Sequence, residues 1–435
     1  MKKNIEKHCI MGALYYLLGL TSTLTILRIP TPIKVITAHN FVLYILTVLI
    51  LISVRIEFKK KLFYVYAACV MLAAISAIIM PISSEWVNTA LINAFNFGCY
   101  AVIYAASQMK KSGYIKEAYF RGLKLSVICQ LVWEYLQISF WYVAGINLND
   151  MVFSKVESLR DIPMAQADIY GKFRFTGLGW QSSNLGMSLL LGFILFDNKI
   201  LKVACLLGVF ASTSRVGIVT LLIVIFYQYF IEKKIWRKFN GWGFLAVGLI
   251  GIVTGVVVTI SNSDIVKGVI GSFSDVARRF SDISWDLHLL YYLWIPELIV
   301  KIPLLKLLFG YGIGCAGYVY SCYKNVYPSI GPWIPENDFC SILFGAGGLG
   351  MIIHYVWYIK EMQKRKLRKS NKDYVVLLAI FFASFMYAYL ASWPLIVVFF
   401  CMSGDYLDKD KSILGISLIN KYKMVLRDSR LIELR

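Results

Sequence analysis

The sequence predicts an all-α, polytopic membrane helix bundle with about twelve spans and two large extracytoplasmic loops. Three observations predict it. The 435 residues are 58% hydrophobic and only 16% charged, against about 25% charged in ordinary soluble domains. The apolar residues fall in runs close to the roughly 20 needed to cross a bilayer core. Lys and Arg alternate between loops, and 32 of the 45 lie in the terminal segments and every second loop.

The candidate spans lie near 10–27, 36–54, 62–80, 86–107, 122–144, 183–196, 199–212, 216–231, 241–260, 339–359, 374–391 and 393–403. The sixth, seventh and last are short and require tilt, a break or neighbouring loop residues. Basic residues concentrate at Arg55–Lys61, Lys110–Lys124, Lys233–Lys238, Lys360–Lys372 and in the tail, 404–435. By the positive-inside rule these segments and both termini are cytoplasmic, and an even number of spans satisfies the rule at every loop. Met11–Leu27 reads as a first anchor without a cleavage site. The whole chain, 1–435, reads as a single integral domain of the cytoplasmic (inner) membrane.

The formal charge of +20 is then a topology signal with contact to anionic lipid, not a nucleic-acid footprint. Nine cysteines show no paired-ligand spacing, so no metal site is expected. Cys315 and Cys322 are the one pair placed to join in an outer loop. No P-loop and no Gly-x-Ser-x-Gly elbow occurs, which disfavours ATP hydrolysis and serine-esterase chemistry.

The two interruptions of the apolar ladder, 145–182 and 261–338, fall on the outer side. The first is charge-balanced. In the second, Ile265, Val266, Val269, Ile270, Phe273, Val276 and Phe280 follow helical spacing, which predicts a surface helix with one apolar face. Residues 285–308 read as interfacial or re-entrant helices. Gly310–Gly314 reads as a flexible turn, Tyr318–Pro335 as loop, and Gly345–Gly348 with Gly350 as close helix packing.

The candidate functional residues are outward charges. Arg174, Arg215, Arg278 and Arg279 lie where no topology rule requires cations, and a guanidinium fork suits diphosphate oxygens. The structural alternative for each is a headgroup contact or a pair with a nearby carboxylate. Glu336, Asn337 and Asp338 precede a span, where a carboxylate is placed to take a proton from an attacking hydroxyl. The structural alternative is a helix cap from Asn337 or Asp338. Gln130, Glu134 and Gln137 share one helix face, and Glu134 reads as an intramembrane salt-bridge partner or a functional acid. His288 is a second candidate base. His8, His39 and His354 have no acidic or Cys neighbours at ligand spacing. Tyr318, Tyr320 and Trp333 are placed to stack on sugars or to anchor at the interface.

Four segments, in order, carry a resemblance. Arg174-Phe-Thr-Gly-Leu-Gly-Trp-Gln-Ser-Ser-Asn184 resembles the entry to a middle span of the O-antigen polymerase and ligase superfamily. Ser212-Thr-Ser-Arg-Val-Gly217 is similar to its Thr-x-Ser-Arg-x-Gly turn. Arg279–Trp285 with Pro303 through Gly310-Tyr-Gly-Ile-Gly314 is similar to its region ending in Gly-x-Gly-x-Gly. Pro335-Glu-Asn-Asp-Phe339 with Gly348-Leu-Gly350 is similar to its His-Asn and Gly-Leu-x-Gly region. Ligases of that superfamily usually carry His where this chain has Glu336, so the polymerase reading gains.

The resemblance implies a metal-independent, cofactor-free glycosyltransferase. It would join polyprenyl-diphosphate-linked oligosaccharide repeat units of a capsular or O-antigen polysaccharide on the outer face of the membrane. It implies lipid-linked substrates and membrane lipids as partners, and admits a chain-length regulator and a flippase. A polysaccharide ligase and a lipid-linked oligosaccharide flippase are the alternative readings.

Overall fold

The computed structural model describes residues 2–29, 36–53, 61–79, 83–108, 113–154, 166–167, 173–179, 181–232, 291–324, 337–367, 371–387 and 392–403. Among these residues 84% are helical, in 17 helices, so the all-α class holds. The candidate span 241–260, the surface helix after 264 and the tail 404–435 lie outside the described residues.

The first five helices are α1 (Lys2–Ser22), α2 (Ala38–Ser53), α3 (Lys61–Ile79), α4 (Ser84–Ser107) and α5 (Gly113–Ala144). Among the described residues α3 and α4 are long and apolar enough to cross a membrane by length and composition, and shorter apolar helices accompany them. α1 stops at Ser22, short of the predicted Leu27, because Thr21 and Ser22 turn their hydroxyls back onto the carbonyls of Leu17 and Leu18. Such bonds compete with helix propagation. The chain then makes a two-residue ladder, β1 (Arg28–Ile29) with β2 (Ile36–Thr37). α1 lies along α5, and glycine makes the approach possible. A Cβ on Gly19 would overlap the Tyr119 carbonyl oxygen, and one on Gly122 would overlap that of Tyr16.

After α5 come α6 (Leu148–Phe153), a second short ladder of β3 (Gln166–Ala167) and β4 (Phe173–Arg174), then α7 (Ser182–Leu195), α8 (Lys199–Ala211) and α9 (Arg215–Phe226), which runs into a π-helical turn, Tyr227–Glu232. The remaining helices are α10 (Ile295–Lys301), α11 (Leu304–Phe309), α12 (Ala316–Lys324), α13 (Asp338–Gly345), α14 (Gly347–Leu367), α15 (Asn371–Ser384) and α16 (Pro394–Ser403).

Three sequence expectations change. The run 339–359 is two helices, because Gly347 has φ +76° and breaks the ladder between α13 and α14. Residues 318–324, the described part of the expected loop Tyr318–Pro335, belong to α12, since Tyr320 and Val319 are buried against the short helices around them. Cys315 and Cys322 are both free, and the buried Cys315 thiol instead donates to the Trp86 carbonyl at 3.6 Å.

Basic segments far apart in sequence gather at one end of the bundle. Lys116 of α5 pairs with Asp373 of α15 at 3.9 Å. Lys372 reaches Asp197, between α7 and α8, at 2.7 Å, and this hydrogen bond holds the Asp197 carboxyl below the usual carboxylate range. Arg365 donates to the Met402 carbonyl at 2.6 Å. The opposite end carries the described segments around 23–29, 145–154, 173–179, 212–215 and 310–315. Between the two ends the bundle's surface is apolar, with Val132 55%, Leu207 55%, Val48 54% and Leu72 48% exposed.

Candidate functional site

The Ser212–Gly217 turn joins α8 to α9. Thr213 has φ +53° and is the one non-glycine residue with positive φ among the described residues. It occupies the left-handed position after a helix C-terminus, where glycine is usual. Ser214 caps α9 by accepting from the Gly217 amide at 3.2 Å. Gly217 lies against the backbone of Gly186 on α7, and a Cβ on Gly186 would meet the Ser214 side chain at 2.5 Å. The small residues of this motif therefore have packing and capping roles. The half-buried Arg215, first residue of α9, is the one side chain of the motif with anion chemistry.

The second motif pair is physically joined. Gly310, Gly312 and Gly314 all have positive φ, so the segment is a defined, hydrogen-bonded turn and not the flexible one expected. The Tyr311 amide donates to the Phe344 carbonyl at 2.8 Å, and the Gly312 amide to the Gly345 carbonyl at 2.9 Å. A Cβ on Gly310 would overlap the backbone of Gly345 and Gly347, and one on Gly347 would overlap the Leu308 carbonyl. Only glycine fits at this backbone-on-backbone crossing. Lys306, which sequence reasoning passed over, is buried behind it and donates to Ser76 Oγ at 2.7 Å and to the Ser76 carbonyl at 2.8 Å. That is a C-terminal cap for α3.

This clasp packs against α13, whose N-cap is Asn337. Its Oδ1 accepts from the Cys340 amide at 2.7 Å, which gives Asn337 the capping role anticipated for it. Asp338 follows in the first turn and is buried. It lines a small cavity of about 20 Å³ with His354, Tyr355, Tyr358, Ile380, Phe381, Ser384, Leu395 and Val398. That is room for about one water, not for a sugar. His354 Nδ1 and Tyr355 Oη have no hydrogen-bond partner among the described residues. Sequence spacing missed His354 because the break at Gly347 reorients α14 relative to α13. Tyr292 donates to the Phe385 carbonyl beside this region. Burial, with smaller effects of Cys340 and Asp338, pushes its phenol pKa up and keeps it a donor.

The third cluster is the polar face of α5. Gln130, Glu134 and Gln137 are all buried. Gln130 donates to the Thr23 carbonyl at 2.6 Å and accepts from the Leu178 amide at 2.7 Å, while Gln137 accepts from the Gly177 amide at 2.9 Å. The two amides thus hold the end of the first large loop against the bundle. Asn149 adds bonds to Thr176 Oγ1 at 3.0 Å and to the Gly177 carbonyl at 3.1 Å. Glu134, between them, is 0% exposed, and neither carboxylate oxygen has a hydrogen-bond partner among the described residues. The expected salt bridge to another helix is therefore absent among those residues. Glu134 lies against Gly208 of α8, where a Cβ would meet Oε2 at 2.6 Å.

Of the other sequence candidates, Arg174 is in β4, paired in register with Gln166. Glu336, His288, Arg278, Arg279 and Trp333 lie outside the described residues. Tyr320 is buried and donates to the Tyr291 carbonyl at 2.8 Å, so it serves the core and not a sugar platform. Tyr318 stacks on Trp86 at 5.4 Å. Arg215 and Asp338 stand on α9 and α13. α15 packs against both α9 and α14, the helix that α13 abuts. In comparisons with known proteins, no family model matches the chain and no curated protein matches it.

Proposed function

We propose that this chain is an integral membrane protein of about twelve spans that polymerises lipid-linked oligosaccharide repeat units on the outer face of the cytoplasmic membrane. Two features support the membrane part: basic segments from separate loops gather at one end, and the surface between the ends is apolar. One observation carries the enzymatic part. The Gly310–Gly314 turn is clasped by main-chain bonds from Tyr311 and Gly312 to Phe344 and Gly345, which lie in sequence between Pro335–Phe339 and Gly348–Gly350, the two parts of the fourth stretch that resembles the polymerase superfamily.

In this reading Arg174, Arg215, Arg278 and Arg279 hold the diphosphate of the growing chain. Charge develops there as the anomeric C–O bond breaks, and fixed guanidinium groups stabilise it. The acceptor hydroxyl oxygen forms the new bond to the anomeric carbon, its proton passes to Glu336, and the lipid diphosphate leaves with the electron pair. His288 is the alternative base. Asp338, next but one to Glu336, anchors the segment in the bundle with Asn337. No nucleotide sugar enters, because the activated bond arrives on the lipid.

Deleting the gene tests the class. A polymerase deletion leaves surface glycan of single repeat units. A flippase deletion traps lipid-linked units on the cytoplasmic side, and a ligase deletion leaves long chains on the lipid carrier. Either of the last two outcomes overturns the polymerase reading.

A further inference from the structure

At the basic end, α14 presents Trp357, Lys360, Glu361 and Lys364. Their spacing, i, i+3, i+4 and i+7, sets all four on one helix face. α3 runs beside it and supplies Lys61, Leu62, Phe63 and Val65 from its first turns. Between the two helices is a cleft of about 450 Å³ lined by these eight residues. It shares no lining residue with the cavity beside Asp338.

The chemistry of the lining is uneven. Glu361 is already paired with Lys364 at 2.7 Å. Lys61 and Lys360 are exposed, with no carboxylate partner among the described residues. The floor is aromatic, with the Phe63 and Trp357 ring centroids 5.2 Å apart. Trp357 is 2% exposed and packs edge-on against Tyr104, ring centroids 5.9 Å apart. Two ammonium groups with no carboxylate partner among the described residues call for an anionic oxygen ligand. The apolar wall of Leu62 and Val65 calls for a ligand that also carries hydrocarbon. A free phosphate would leave that wall uncovered.

We propose that the cleft between α3 and α14 binds the phosphate headgroup of an anionic phospholipid in the leaflet at the basic end, with an acyl chain against Leu62 and Val65. The proposal rests on the membrane reading and is independent of the polymerase reading.

The test uses the full-length protein purified in neutral detergent, with lipid adducts read by native mass spectrometry. Phosphatidylglycerol and phosphatidylcholine are added in parallel, with inorganic phosphate as competitor. Wild type is expected to retain phosphatidylglycerol over phosphatidylcholine. The double variant Lys61→Ala/Lys360→Ala is expected to lose roughly tenfold or more of that retention, since each Lys near an anionic surface contributes about a factor of five. Equal retention of the two lipids overturns the proposal, as does unchanged retention in the double variant. Displacement by millimolar inorganic phosphate assigns the cleft to soluble anions and also overturns it. If the chain fractionates as a soluble protein, the membrane reading and this proposal fall together. If it is in the membrane without lipid preference, this proposal falls alone.

Discussion

Thr213 and Glu134 each break a local physical rule. A β-branched residue at positive φ is an outlier, and left-handed backbone costs an L-residue roughly 1–2 kcal/mol. Glycine would remove that cost but adds about 0.5–1 kcal/mol of unfolded-state entropy. Thr213→Gly is therefore expected to stabilise the protein by about 0.5–1 kcal/mol, read as a higher thermal midpoint in detergent. An unchanged or lower midpoint would mean that the turn is not strained. Glu134 poses the converse case, a buried carboxyl group with no hydrogen-bond partner among the described residues. A buried polar group left unpaired costs about 1–3 kcal/mol. Glu134→Met is expected to raise the thermal midpoint while leaving the fold unchanged. A lower midpoint would show that the carboxyl group has a stabilising partner. The sequence made Glu134 visible, because a Glu inside an apolar run stands out. It could not show the missing partner, which depends on which face of α8 meets α5.

At the scale of elements, hydrophobic runs located most of the described helices, because each apolar segment is bounded by charge or by Ser, Asn, Gly or Pro. α2, α3, α7 and α8 begin and end within about two residues of the apolar runs that announced them. The failures have one cause: backbone geometry overrides hydropathy. The run 339–359 carries Gly345, Gly347, Gly348 and Gly350, which read as close helix packing, and it is Gly347 at positive φ that divides the run. Gly310–Gly314 looked flexible because glycine is permissive, and what fixes it is a partner about 35 residues away. That partnership is testable. Gly310→Ala meets both a positive φ of +82° and the backbone of Gly345 and Gly347. It is expected to cost at least about 2 kcal/mol, with the loss seen in thermal midpoint and in polymer length together. An Ala variant with wild-type stability would show that the clasp is looser than described.

At the scale of the whole molecule, the charge pattern was the most informative sequence signal. Alternation of basic loops predicted which loops share an end, and contacts such as Lys116 with Asp373 and Lys372 with Asp197 place those loops together. The candidate site was less legible. Its motifs come from segments separated by more than a hundred residues, and no local spacing reveals their meeting. Arg215 is placed on a packed turn and Asn337 on a cap, whereas Glu336, His288, Arg278 and Arg279 fall outside the described residues. The account therefore stands on a chemical claim about the assembled protein: a guanidinium on the α8–α9 turn stabilises a departing lipid diphosphate. The direct measurement is reconstitution. Purified protein in liposomes is given lipid-linked oligosaccharide extracted from cells that lack it, and products are resolved by length. The account predicts a ladder of multiple repeats without added nucleotide sugar. It also predicts that Arg215→Ala abolishes the ladder while the protein stays folded, and that Arg215→Lys fails to restore it, because one ammonium cannot replace a bidentate fork. Single repeat units from wild type, or an unaltered ladder from Arg215→Ala, would contradict it.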